Sequence, residues 1–176
     1  MATYLEPIFT RTLSTTSTNA FSFVNIPQTY QDLFLYISAR STGSSTNQGM
    51  YIQFNGDGAN NYSSVFGRST GSTVDTFRNT NGNAILSIEI PNDQCTSGIF
   101  SNIQVYIPNY RSSRHKQIIT DVAKETNATS GIIFMQNQGS LWRNTAAISS
   151  MTMGTNITAP NYVAGSTFSL YGVRPS

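Results

Sequence analysis

The chain has 176 residues, of which roughly two fifths are Ser, Thr, Asn or Gln and only 10% are charged, with a formal net charge of +2. Ordinary soluble domains carry about 25% charged residues. Ten basic and eight acidic residues spread along the chain give no clustered basic face for nucleic acid, and no apolar run approaches the ~18 residues that span a bilayer.

The chain reads as short alternating segments, each placing every second side chain on one face of a strand. Pro7 to Leu13 and Ala20 to Ile26 come first, around the Ser/Thr-rich turn Ser14 to Asn19. Pro27 ends the second strand, because it has no N–H for a ladder. Asp32 to Arg40 follows, with Leu33, Leu35, Ile37 and Ala39 on one face and Phe34 and Tyr36 on the other. Ser41 to Gln48 is a loop, and Gly49 to Asn55 is a strand with Met50, Ile52 and Phe54 on one face. After the Gly/Asn turn 56–61, Tyr62 to Arg68 and Thr73 to Arg78 read as short strands, with a turn at Asn79 to Asn83. Later strands are expected at Ala84 to Ile90, Gly98 to Ile107, His115 to Ala123, Gly131 to Gln136, Ala147 to Met153 and Ser166 to Val173. Lys116 to Thr126 comes nearest to a helical pattern, but its β-branched residues favour strand. The expected fold is therefore all-β: a single antiparallel β-sandwich of jelly-roll type with about ten or eleven short strands, forming one domain over residues 1–176.

Several strands carry large residues on both faces. Phe34, Tyr36, Phe100 and Tyr106 lie opposite the aliphatic faces of their strands and are the candidate contacts between copies of the chain. A face turned to water should be polar, so either loops or another subunit covers these rings.

No catalytic set emerges. A phosphate loop, a paired zinc motif and a nucleophile elbow are all missing, so no enzyme activity, metal or cofactor is expected. Cys95 is the only cysteine and His115, 20 positions away, the only histidine; Cys95 reads as a buried filler rather than a nucleophile. Asn55, Asp57 and Asn60 could offer oxygens to Ca²⁺, or form a hairpin turn whose side chains bond their own backbone. The turn is the expected reading. Arg111, Arg114 and Lys116 form the one basic cluster, either a contact loop for an acidic neighbour or a solvated turn. Trp142 reads as core or interface, with sugar stacking the lesser alternative. The sequons at Asn61, Asn127 and Asn156 read as chance in a chain so rich in Asn, Ser and Thr, since the start of the chain does not look like a secretory signal.

Phe23-Val24-Asn25-Ile26-Pro27-Gln28-Thr29-Tyr30-Gln31-Asp32-Leu33 with Ile37-Ser38-Ala39-Arg40-Ser41 resembles a family of β-sandwich virion proteins of tailed bacteriophages, including those of cyanobacteria and other aquatic bacteria. Phe54-Asn55-Gly56-Asp57, Asn61-Tyr62-Ser63, Leu141 to Ile148 and Ala164 to Gly172 carry the same resemblance in order along the chain. The resemblance implies a structural role on the particle and gives no binding residues. Expected, then, is a virion protein made in the bacterial host cytoplasm, most simply a capsid decoration or cement protein. The alternative is a tail-fibre component meeting host glycans. Its partners would be itself as a homo-oligomer, with a trimer favoured, and the major capsid protein or other virion proteins. Neither nucleic acid nor membrane is expected as a partner.

Overall fold

A computed structural model describes residues 4–16, 18–44, 48–126, 134–155 and 160–174. Among these the regular structure is entirely strand: β1 (Leu5–Thr12), β2 (Ala20–Val24), β3 (Asp32–Ser38), β4 (Gly49–Phe54), β5 (Tyr62–Ser69), β6 (Val74–Gly82), β7 (Ile85–Glu89), β8 (Asn102–Ile107), β9 (Lys116–Lys124), β10 (Phe134–Trp142), β11 (Ser150–Thr155) and β12 (Thr167–Val173). No helix among the described residues is long and apolar enough to cross a membrane.

All strand pairs are antiparallel, in two sheets. The larger runs β1-β12-β3-β8-β9-β10-β5-β6, the smaller β2-β11-β4-β7. The chain switches sheets at each step from β1 to β5, at each step from β6 to β8, and at each step from β10 to β12. The β5–β6 hairpin and the β9–β10 hairpin lengthen the larger sheet beyond β8.

Alternation explains the core between the sheets. Leu33, Leu35 and Ile37 of β3, Phe168 and Leu170 of β12, and Ile103, Val105 and Ile107 of β8 join Met50, Ile52 and Phe54 of β4 and Met151 and Met153 of β11 in one buried cluster. Burying each such side chain fully contributes ~1.5–3 kcal/mol.

Beneath β9, β10 and β5 the interior is mixed: Ile118, Val122, Tyr62 and Trp142 belong to the apolar cluster, but polar side chains are buried beside them. Gln136, Gln138, Ser140, Thr120 and Ser64 are buried. Gln136 Nε2 donates to Ser87 O at 2.8 Å and Gln138 Nε2 to Leu86 O at 3.1 Å. Those carbonyls are free because β7 slips register against β4 between Met50 and Ile52, with Ser87 in the left-handed region at φ 63°. Ser64 and Ser140 bridge β5 to β10 at 3.0 Å. Deeper in this half, Lys124 Nζ meets Glu89 Oε2 at 3.4 Å, with Arg68 4.0 Å from the other carboxylate oxygen.

The strand expectations need three corrections. β8 starts at Asn102 rather than Gly98, because Gly98 turns at φ 79°. β6 runs through the expected turn to Gly82. β10 extends to Trp142, well beyond Gln136, because Asn137, Gln138, Gly139 and Ser140 belong to a strand that is polar on both faces. Of the expected strand start, residues 131–133 lie outside the described residues, as do Asn127, Asn156 and residues 45–47 of the loop Ser41 to Gln48.

Candidate functional site

The outer face of the larger sheet carries the candidate site. Cross-strand pairing sets Pro7, Tyr171, Phe34, Tyr106, Ile119, Gly139, Val65 and Arg78 in one row across all eight strands. Directly paired residues share a face. A second row runs Thr10, Ser169, Tyr36, Gln104, Asp121, Asn137, Gly67, Thr76. In both rows the charges are confined to Asp121 and Arg78.

One half of the first row is a ridge of rings. Phe34 stacks on Tyr106 with centroids 4.7 Å apart and on Tyr36 at 6.2 Å, and Tyr171 meets Tyr36 edge-on at 5.7 Å. Offset and edge-on geometry of this kind suits the ring quadrupoles. All four rings are half-buried. Tyr106 is anchored by its hydroxyl, which donates to Asp32 Oδ2 at 2.9 Å, while Asp32 also accepts from the Asn109 N–H at 2.7 Å. Burial, and then the neighbouring Asp32 carboxylate, raise the Tyr106 pKa above the usual phenol value. The hydroxyl therefore stays a donor at neutral pH.

The other half of the row is a trough. Ile119 is 54% and Val65 59% exposed, so no described part of the chain covers them. At Gly139 there is a depression of about 430 Å³, lined also by Val65, Ser63, Gln117, Leu141 and Arg78. Beside it Asn102, Gln104, Asp121 and Asn137, with Ala123 and Met135, line a smaller one of about 240 Å³, where the Asn137 amide donates to Asp121.

Three of the four expected contact rings, Phe34, Tyr36 and Tyr106, thus share one face, and Tyr171 joins them. Phe100 does not: it precedes β8 in the 98–101 loop and lies beside the turn at Gly165. Strand alternation does not reach it, since β8 begins only at Asn102.

The basic cluster also divides. Arg114 is exposed, and the exposed Arg111 donates to Gln28 O at 3.0 Å. Lys116 is not a contact residue, being only 1% exposed. Its Nζ donates to the carbonyls of Ser112 at 2.8 Å and Arg114 at 2.6 Å, and lies 5.7 Å from the centre of the Trp142 ring. Those carbonyls belong to the turn itself, so Lys116 closes the turn from inside, and burial lowers its pKa.

The Asn55 to Asn61 turn has the hydrogen bonds of a structural hub. Asp57 accepts from Ala59 N at 3.1 Å, Asn61 Nδ2 at 3.0 Å, Trp142 Nε1 at 2.8 Å and Asn144 Nδ2 at 3.2 Å. These donors, Asn61 first, hold its carboxyl down at about 2. Asn55, at φ 53°, turns away to bond Ala147 O and the N–H groups of Ser149 and Ser150. The Asn55 and Asp57 side chains thus serve different sets of backbone and side-chain partners, and no group of three His, Cys, Asp or Glu side chains that could hold a metal occurs among the described residues. Trp142 is fully buried and stacked on Tyr62 at 6.2 Å, a core residue rather than a sugar platform. Cys95 is buried with its thiol 3.6 Å from Asn92 Oδ1, while His115 is exposed.

No family model, no curated protein and no solved structure matches this chain.

Proposed function

We propose that the chain is a non-enzymatic structural protein on the surface of a tailed-bacteriophage particle, a capsid decoration or cement protein that assembles with copies of itself and contacts the major capsid protein. The observation that carries this reading is the outer face of the larger sheet. It is nearly free of charge, crosses eight strands and holds exposed apolar residues beside an aromatic ridge. Surfaces of this composition are unusual on a free monomer and mark contact sites. The sequence resemblance to phage virion sandwiches points the same way. The strand order supports a jelly-roll reading, since β1-β12-β3-β8 over β2-β11-β4-β7 interleaves both chain ends with the middle, and the two hairpins are additions.

The mechanism is physical. A preformed sandwich buries apolar rings against its neighbours, each worth ~1.5–3 kcal/mol before the costs of association. A clamp across joints in a shell raises the barrier to rupture by the packaged genome. The exposed Arg111 and Arg114 turn is the candidate contact with an acidic shell surface.

Gold-labelled antibody on intact particles tests the placement: label over the head supports decoration, label at the tail alone overturns it. Replacing Phe34 and Tyr36 together with Ser is expected to give a folded monomer, and an unchanged oligomer mass would remove this face from assembly. The second reading is a tail-fibre component binding host glycans. The depression lined by Asn102, Gln104, Asp121 and Asn137 favours it, because amides and a carboxylate suit sugar hydroxyls. Loss of host adsorption on substituting those residues is the result expected of that reading.

A further inference from the structure

Gly139 and Gly67 lie inside strands, on the outer face, at diagonal positions of β10 and β5. Glycine within a strand is unfavourable by ~0.5–1 kcal/mol relative to alanine. It usually marks a positive φ, a bulge, or a place where something approaches closely. Neither residue has positive φ, and β10 and β5 pair without a register shift. Neither is crowded: a Cβ on Gly139 would meet only Val65 Cγ1, at 3.9 Å, and one on Gly67 only Asp75 O, at 3.9 Å. Two other strand glycines behave differently. Gly154 and Gly172 lie directly under the rings of Tyr51 and Tyr30, which leave no room for a Cβ. The chain thus accounts for Gly154 and Gly172 but not for Gly139 and Gly67. Close approach from outside is the remaining reason.

The face also supplies its own complement. Four strands carry the ridge side, β1-β12-β3-β8, and four the trough side, β9-β10-β5-β6. A two-fold axis parallel to the strands and passing between β8 and β9 turns the face onto itself and reverses each row. Phe34 then sits over Gly139 of the partner subunit, Tyr106 over its Ile119 and Tyr171 over its Val65. In the second row Ser169 covers Gly67 and Gln104 meets Asp121. Neither charge of these rows meets its own copy: Asp121 faces Gln104, and Arg78 faces Pro7. Two aligned sheets pack at about 30°, which skews the row ends but keeps the central pairs in contact.

The size fits. Eight strands ~4.8 Å apart make a face ~34 Å wide, and strands rising ~3.3 Å per residue make it ~20–30 Å tall. That is ~700–1,000 Å², against the ~800 Å² per partner of a standard stable interface.

We infer that the outer face of the eight-stranded sheet is an isologous two-fold interface with a second copy of this chain, the Phe34 ridge of each copy seated in the Gly139 trough of the other. The inference rests on the assembly reading and adds to it a symmetry, a pairing and a role for the two glycines. Neutral glycans are the competing occupant of the trough.

Two measurements test it on the full chain. The first is solution mass by light scattering, for the native chain and for Gly139→Trp. The expected result is a dimer for the native chain and, for Gly139→Trp, a monomer that still unfolds cooperatively, with a melting temperature that no longer depends on protein concentration. The second is cross-linking with a short bismaleimide, using one chain carrying Ser169→Cys and another carrying Gly67→Cys; Cys95 is buried. Within one chain these positions are five strands apart, so a cross-linked dimer is expected only when the two chains are mixed. No adduct in the mixture, or an equal yield from either chain alone, overturns the two-fold even if Gly139→Trp fails to fold. A trimeric native chain with no mixed adduct also overturns it, yet the Phe34 and Tyr36 substitution would still show whether the face assembles. A monomeric native chain that binds maltoheptaose at Gly139 by NMR overturns it in favour of the glycan occupant.

Discussion

Under β3 and β12 the larger sheet rests on the smaller through hydrocarbon: Leu33, Leu35, Ile37, Phe168 and Leu170 against Met50, Ile52 and Met153. Under β9, β10 and β5 the hydrocarbon of Ile118, Val122 and Trp142 is joined by the Gln136 and Gln138 amides, which bond β7, and by a buried Lys124–Glu89 pair. The first half is held by non-directional burial, which tolerates small shifts. The second adds directional bonds, where a buried polar group left alone is costly, and Gln136 Oε1 and Thr120 Oγ1 are buried there with no hydrogen-bond partner among the described residues. The hydrocarbon half lies behind the aromatic ridge and the bonded half behind the glycine trough. Each side of the outer face therefore stands on a different kind of foundation.

The sharpest way to break the comparison is to orphan the buried carboxylate. Lys124→Met leaves Glu89 with Arg68 alone, and removing one partner of a buried pair costs ~3–5 kcal/mol. Burial pushes Glu89 up from its ordinary value, so its folded pKa lies above its unfolded one and the variant should regain stability as pH falls through that folded value. Urea unfolding across pH checks this. A penalty independent of pH would mean that the charge is not the cause. Adding Glu89→Leu should recover much of the loss, as apolar replacements of buried pairs often do.

In the hydrocarbon half Leu35→Ala is expected to cost ~2–5 kcal/mol, with no pH dependence, because it loses transfer energy and opens a cavity. Leu35 is 0% exposed. Unfolding at two pH values measures both parts of that expectation; a pH-dependent loss would blur the distinction between the halves.

Asp57 lies where the two halves join, bonded to Trp142. Its carboxyl titrates at about 2 in the folded chain against an ordinary 3.8. A lowered folded pKa means that the stabilisation is present above pH 3.8 and fades as pH falls toward 2. Asp57→Asn should remove that portion of the acid sensitivity, and thermal melts between pH 5 and 2 would show it. The smallest effect is expected at the trough: Gly139→Ala should stabilise the monomer by ~0.5–1 kcal/mol, since the site has ordinary φ and open space.

How much of this could be read beforehand follows from patterning. Leu33 to Ile37 shows a period of two with large residues on both sides, so β3, its buried face and its ring-bearing face were all legible. β9 was legible for the same reason, through Ile118, Thr120 and Val122. Most of β10 was not, because Asn137 to Ser140 is polar on both faces and contains glycine, which in sequence looks like a turn. Alternation counted back from β8 puts Phe100 with the rings, but the strand begins only at Asn102, and Ile99 and Ser101 before it bond Arg40 and Ala39 instead. Lys116 was misread because a lysine in a basic stretch suggests solvent, whereas the turn folds its carbonyls around the ammonium. Tyr171 reaches the ridge through pairing with Phe34, 137 positions earlier in the chain.

The sequence by itself determined the all-β class, the position of most strands and the side chains that β3, β4, β8 and β12 bury, because those properties follow from local alternation. Only the tertiary structure decided the strand order, the polar groups buried under β9, β10 and β5, and the row that runs from Pro7 to Arg78. The row depends on register between strands far apart in the chain, and register is set by the packing of whole faces, so no local window of sequence contains it.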